Sequence, residues 1–195
     1  MADTYHFSAP GRTEIGGNHT DHQHGCVLAA AVDMETTAEV TLTGTNIIRV
    51  DSEGYKPVEI DLNDLEARES EKNTTAALIR GVAAAFAQRG YKLSGFEAKA
   101  RSTVLPGSGL SSSAAFEVLI GRILNGLFAD GKVSAIEIAQ IGQYAENVYY
   151  GKPSGLMDQM ASSVGGLVYI DFADPKKPIV EKVDYDFAHS GYTLC

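Results

Sequence analysis

The sequence predicts a single α+β domain of two layers. Three observations carry that prediction: short runs with strand patterning fill the first third of the chain, apolar helical stripes occupy the middle, and strand patterning returns near the end. With 195 residues and 44% hydrophobic content, the chain has the length of one domain and enough apolar residues for a core without disulfides or structural metals.

Residues 5–8 form a short strand ahead of a polar, turn-rich stretch. Residues 27–33 are apolar and lead into the alternating, threonine-rich residues 35–43, which suit a half-exposed strand. Gly44, Thr45 and Asn46 break the pattern; residues 46–52 and 58–62 then read as two more strands around a turn at 53–57, so an antiparallel meander is expected. Asn73 or Thr74 caps a helix whose Leu78, Val82 and Phe86 recur at four-residue spacing, and Gly90 ends it. Phe96, Ala98 and Ala100 alternate with polar residues in a strand.

Ser111, Ser112 and Ser113 stand at the N-terminus of a helix striped by Phe116, Leu119, Ile120, Ile123, Leu124 and Leu127, which stops at Asp130 and Gly131. Ser134 with Glu137 makes a capping box for the next helix, whose apolar positions are Ile138, Ile141, Ala145 and Val148. A break at 151–155 precedes a short helix at 157–163 and a strand at 167–172. Gly191, Tyr192, Thr193, Leu194 and Cys195 read as the opening of a further strand, so the second half of the fold is expected to lie outside these residues.

Acidic residues outnumber basic ones by 25 to 16, a net charge of −9 that repels nucleic acid and anionic membranes over most of the surface. Neither is expected as a partner, and an anionic ligand needs a dedicated local pocket. Two cysteines, Cys26 and Cys195, are too few for a secreted disulfide framework. Asp3, His6 and Ser8 break up any apolar leader, and the apolar run at 26–32 is too short to span a bilayer, so a soluble cytoplasmic protein is expected.

Three segments can carry chemistry. The first runs Val104, Leu105, Pro106, Gly107, Ser108, Gly109, Leu110, Ser111, Ser112, Ser113, Ala114, Ala115. Its glycines let backbone approach a ligand closely, and its hydroxyls fall where free amides and the positive helix end gather, which suits a phosphate. A plain glycine turn with serine caps is the competing reading. The segment has neither the Gly-Lys-Ser/Thr ending of a Walker loop nor the third glycine of a dinucleotide fingerprint.

The second segment, at 9–25, packs four glycines among Arg12, Glu14, Asn18, His19, Asp21, His22 and His24, and reads as a loop between two strands. Arg12 offers a planar fork for phosphoryl or carboxylate oxygens, and His19 and Asp21 mix donors and acceptors as sugar hydroxyls require. The histidines raise zinc as a reading, but no cysteine or second cluster completes a ligand set there. The third segment is Gly155, Leu156, Met157, Asp158, Gln159, where a carboxylate in an apolar setting can take a proton from a hydroxyl or hold a cation. A helix-start aspartate favoured by the dipole is the plainer alternative.

Taken in order, these segments resemble the galactokinase branch of the GHMP small-molecule kinases. The family signature Gly-Arg-x-Asn-x-x-Gly-Glu-His-x-Asp-Tyr-x-x-Gly is matched in register by Gly11, Arg12, Gly17, His19, Asp21 and Gly25. The glycine and serine segment resembles the family's ATP-phosphate loop, and the Gly155 to Gln159 segment its catalytic-aspartate segment. The resemblance extends over essentially the whole chain and implies a ribosomal-protein-S5-domain-2-like N-terminal domain over residues 1–195, with a mixed or antiparallel sheet, helices on one face, and the family's C-terminal domain absent.

The implied activity is ATP-dependent phosphorylation of the C1 hydroxyl of α-D-galactose, with ATP and Mg²⁺ as the implied co-substrate and cofactor. Asp158 and Arg12 would be catalytic. Arg12, Asn18, His19, Asp21, Gly155 and Asp158 would contact the sugar; Gly107, Ser108, Gly109, Leu110, Ser111, Ser112 and Ser113 would hold the nucleotide phosphates. Ser113 and Glu146 would bind Mg²⁺, a hard cation suited to oxygen ligands. The sequence departs from the family at Asn18, where glutamate is usual, at Glu14 for asparagine and at His22 for tyrosine. Asn18 motivates an alternative, a kinase for another galacto-configured sugar or sugar acid; a non-catalytic sugar- and ATP-binding regulator is another. Little or no activity is expected of these residues alone, with self-association through surface exposed by truncation.

Overall fold

The computed structural model describes residues 3–17 and 19–191, so Asn18 and the strand expected at the C-terminus lie outside the described residues. The strands are β1 (Thr4–Gly16), β2 (Cys26–Leu42), β3 (Ile47–Ser52), β4 (Val58–Asp61), β5 (Phe96–Ser102), β6 (Leu167–Asp171) and β7 (Ile179–Lys182). The helices are α1 (Thr75–Gln88), α2 (Ser112–Phe128), α3 (Ala135–Tyr144) and α4 (Met157–Val164). Strands join in the order β4-β3-β5-β2-β6-β7, with β1 paired to β2. The fold is α+β with a mixed sheet, as the sequence predicts.

Strand alternation sets the layers. Val40, Ile48, Val50, Phe96 and Ala98 face the helices and are buried, against Ile79, Val82 and Phe86 of α1 and Leu119, Ile120 and Ile123 of α2. Burying a side chain of this size stabilises by about 1.5–3 kcal/mol, so the apolar stripes, more than helix propensity, hold the second layer in place. A second cluster seats Met157, Met160 and Ala161 of α4 on Val27, Ala29, Val168 and Ile170. Thr74 caps α1 and the Ser134 and Glu137 capping box opens α3, both as expected.

Four expectations are corrected. The stretch at 9–16 is not loop: β1 continues through it, pairing with β2 through register shifts between Pro10 and Arg12 and between Glu14 and Gly16. Such bulges absorb the proline and glycines of a polar motif without ending the strand. Second, residues 27–33 and 35–43 are one strand. Third, there is no β2-β3-β4 meander, because β5 inserts between β2 and β3 and runs parallel to β3. The connection that makes this possible carries α1, as a parallel return requires a crossover. Fourth, α3 passes into a π-helical turn, Ala145–Tyr150, which rotates Glu146 and Tyr149 inward and leaves Val148 at 48% exposure.

That π turn lies on α1 through Gly81. A Cβ at Gly81 would stand 2.7 Å from Ala145 Cβ and 2.8 Å from Ala145 Cα, closer than either can yield without moving the helix. Gly81→Ala is expected to lower stability by about 1–3 kcal/mol through overpacking, read as a lower urea midpoint with an unchanged slope.

Candidate active site

The bulged end of β1 crosses the loop that precedes α2. Gly11 is what permits the crossing, since a Cβ there would meet Leu110 O at 3.0 Å and the Val104 side chain at 3.1 Å. The Arg12 amide donates to Leu110 O at 3.1 Å. The Arg12 side chain is 8% exposed and does two things: Nη1 donates to Gly109 O at 2.6 Å, and Nε donates to Asp158 Oδ1 at 2.6 Å. A buried guanidinium requires such partners, because an unpaired buried charge is very costly.

The second oxygen of Asp158 is held from the loop itself. Ser111 stands at φ 58° immediately before α2 and, instead of capping the helix, donates its hydroxyl to Asp158 Oδ2 at 2.5 Å. Gly107 and Gly109 also take positive φ, 78° and 79°, so the backbone reverses repeatedly ahead of the helix. Asp158 itself lies in the first turn of α4, where the helix dipole favours a carboxylate, and its side chain keeps 33% exposure. Both readings of Asp158 therefore apply at once. With a cation on one oxygen and a hydroxyl on the other, it is a fixed, solvent-accessible anion that can orient an incoming hydroxyl or take its proton.

Ser112 and Ser113 begin α2, whose first-turn amides have no intrahelical acceptor and so point positive potential outward. Beside them a cavity of about 420 Å³ is lined by Tyr55, Leu78, Leu105, Pro106, Phe116 and Tyr150, among others. Its size and apolar walls are those of a small-molecule pocket. Ser108 is turned away from this opening into its own loop, donating to Leu105 O at 2.6 Å. Ser113 Oγ donates to Glu146 Oε1 at 3.3 Å, and Lys152 Nζ lies 3.2 Å from the same oxygen. Burial lowers the Lys152 pKa, but the Glu146 carboxylate outweighs it and leaves the ammonium above its ordinary value.

The turn Thr20–Gln23 is stapled to the segment entering α4. Asp21, almost fully buried, accepts from the Met157 amide at 3.2 Å through Oδ2 and from the His22 amide at 3.1 Å through Oδ1. His22 Nε2 accepts from the Gly155 amide at 3.1 Å, so that nitrogen carries no proton. Gly155 has no alternative: a Cβ would stand 1.8 Å from Asp21 Oδ2. His19 is exposed, and its amide donates to Glu14 Oε1 at 2.9 Å with its ring nitrogen 3.5 Å from Oε2. The three sequence segments thus meet through Arg12, Ser111 and Asp158, with Asp21 and Gly155 adjoining.

Glu117, fully buried, is a polar group that the motif reading misses, and Gln159, named in the third segment without a role of its own, is fully buried beside it. Gln159 Nε2 donates to Glu117 Oε2 at 3.0 Å and to Glu146 Oε2 at 2.8 Å. Burial, with the neighbouring Glu146 charge, pushes the Glu117 carboxyl well above the usual carboxylate range. A signal was present: Glu117 falls three residues before Ile120 and seven before Leu124, on the stripe of α2 that faces the core.

The chain matches the model of the GHMP kinases N terminal domain over residues 77–166 and that of the galactokinase galactose-binding signature over residues 2–42. It is 37% identical over 190 residues to a galactokinase of Streptomyces coelicolor, covering 96% of this chain and 48% of that protein. A galactokinase of Bacillus subtilis is 36% identical over 163 residues, 82% of this chain and 41% of its own. The crystal structure of Lactococcus lactis galactokinase complexed with galactose superposes with a TM-score of 0.83 at 30% identity, covering 93% of this chain and 48% of that one. The chain spans about half the length of the curated relatives it matches. It belongs to the GHMP kinases, carrying their N-terminal domain together with the galactokinase galactose-binding signature.

Proposed function

We propose that the protein carrying this chain is a galactokinase, transferring the γ-phosphoryl group of ATP to the C1 hydroxyl of α-D-galactose, and that these 195 residues supply its sugar- and phosphate-binding domain while a C-terminal domain lies outside them. The observation that carries the reading is the Asp158 carboxylate fixed between Arg12 and Ser111 beside the N-terminus of α2. The galactose-binding signature over residues 2–42 supports the choice of sugar.

Phosphoryl transfer asks a protein mainly for in-line positioning and relief of charge on the transferring group. Asp158 orients the C1 hydroxyl and takes its proton as the bond to phosphorus forms. Arg12 fixes the orientation of that carboxylate, and the donors its fork does not spend on Asp158 and Gly109 face the transferring oxygens. Gly107 to Ser113 cradle the phosphates with backbone amides and the hydroxyls of Ser112 and Ser113, and the adjoining cavity takes the nucleoside. Ser108, committed to Leu105 O, contributes its amide only. Asp21, His19, Gly155 and Asn18 contact the sugar hydroxyls, Asp21 with the lone pairs that the Met157 and His22 amides leave.

Ser113 and Glu146 suit a magnesium ion by the chemistry of the donor set, a hydroxyl and a carboxylate oxygen 3.3 Å apart at the phosphate end of α2. Such an ion supplies charge neutralisation on the phosphoryl oxygens. Lys152 holds the same Glu146 oxygen and adds a second cation to that side.

Two outcomes follow. Asp158→Asn keeps the shape and removes the base, so ADP release with galactose should fall by about 10²–10⁴-fold while galactose binding persists. Turnover with a different sugar and none with galactose would shift the substrate to that sugar and point to Asn18. Gly155→Ala forces Asp21 and the α4 segment apart, so the galactose KM should rise along with a loss of about 1–3 kcal/mol in stability; an unchanged KM would remove the Asp21 clamp from the sugar site.

A further inference from the structure

Behind the phosphate-facing groups lies a buried polar bridge to Glu146 whose other two members, Glu117 and Gln159, the transfer chemistry leaves unused. Glu117 on α2 and Gln159 on α4 are 0% exposed, and Glu146 on the π turn is 2% exposed. Both Gln159 Nε2 contacts are to carboxylates, Glu117 Oε2 on one side and Glu146 Oε2 on the other. The other Glu146 oxygen is the one that meets Ser113 and Lys152. Three elements are thereby joined through one amide group, directly beside Asp158 in sequence.

An amide side chain has two nearly isosteric orientations. Turned over, Gln159 would present its carbonyl oxygen to the Glu146 carboxylate, acceptor against acceptor. Both carboxylates therefore select the same orientation, and Glu117 Oε2, by accepting from the same Nε2, holds the amide in place against Glu146. It serves whether or not the carboxyl carries a proton, since the carbonyl oxygen of a neutral acid also accepts. Two oxygens of the bridge, Glu117 Oε1 and Gln159 Oε1, are buried without a hydrogen-bond partner among the described residues. An apolar residue in this position would avoid that desolvation cost, so packing alone does not account for the carboxyl.

We propose that Glu117 is a positioning residue: through the Gln159 amide it fixes the Glu146 carboxylate in the rotamer that faces Ser113. The proposal rests on the assignment of Glu146 and Ser113 to the divalent cation made above. A partner that orients a ligating carboxylate from behind changes metal affinity while leaving sugar binding alone.

The test is Mn²⁺ titration, followed by electron paramagnetic resonance, on the protein that carries this chain with a non-hydrolysable ATP analogue bound. Galactose affinity and melting temperature are measured in parallel. Glu117→Leu, which removes the acceptor, should weaken Mn²⁺ binding by about 10-fold or more, with galactose affinity unchanged. Glu117→Gln keeps a carbonyl acceptor in a neutral group of the same shape and should hold Mn²⁺ within about threefold of wild type. A folded Glu117→Leu protein with wild-type Mn²⁺ affinity overturns the proposal, as does a Glu117→Gln protein weakened as much as Glu117→Leu is expected to be. Should Glu117→Leu not fold, Gln159→Met breaks the same bridge and carries the same two outcomes, and Glu117→Gln decides alone if that also fails. Glu146→Gln separates the layers: if it leaves Mn²⁺ binding intact, the cation assignment fails; if it weakens binding while Glu117→Leu does not, only the positioning role fails.

Discussion

Much of the arrangement around the site depends on one buried guanidinium. Arg12 leaves a bulged strand, passes beneath the loop ahead of α2, and spends its donors on a loop carbonyl and on the carboxylate of a different helix. Elements that share no backbone ladder, the end of β1, the glycine and serine loop and α4, are thereby held in one relative position. The physical logic is that of any buried charge: it is tolerated only when its partners are fixed, and so it fixes them. Gly11, which lets strand and loop touch, and Ser111, held in a left-handed conformation so that its hydroxyl reaches Asp158, are consequences of the same constraint.

The surface potential complements this arrangement. A chain with net charge −9 offers anions little general attraction. Locally the open amides of α2 at Ser112 and Ser113 offer positive potential beside the cavity, while Arg12 and Lys152 are each paired with a carboxylate that also meets a serine of this loop and helix start. Under the proposed function a phosphate-bearing ligand would be held at this one place, with its apolar part resting on the cavity walls at Leu78, Phe116 and Tyr150.

Much of the fold was legible in local pattern. The starts of α1 and α3 follow from their caps and the course of α2 from its apolar spacing, and the residues that meet at the site lie in the three segments named from the sequence. What failed was whatever depends on a neighbour distant in sequence. Asp33, Met34 and Glu35 are exposed in the middle of a long strand, because the first part of β2 pairs with β6 and its last part with β5 and these residues mark the change of partner. The motif at 9–16 read as loop because its composition is that of a loop; only the ladder to β2 reveals a bulged strand. Nothing in the spacing of α3 announces a π turn, and with it the inward turn of Glu146. Glu117 was visible on the apolar stripe, but its reason for being there required α4 to be in place.

The most direct measurement is a double-mutant cycle on the central pair, comparing galactose-dependent ADP release for the protein carrying this chain with Arg12→Lys, Asp158→Asn and the two combined. Lysine keeps the charge but cannot span Gly109 O and Asp158 with one rigid fork. If the two residues act as one unit, the double variant should be no slower than the worse single variant by more than about threefold. Losses that multiply would mean that Arg12 and Asp158 act independently, contradicting the dependence of the site on their pairing.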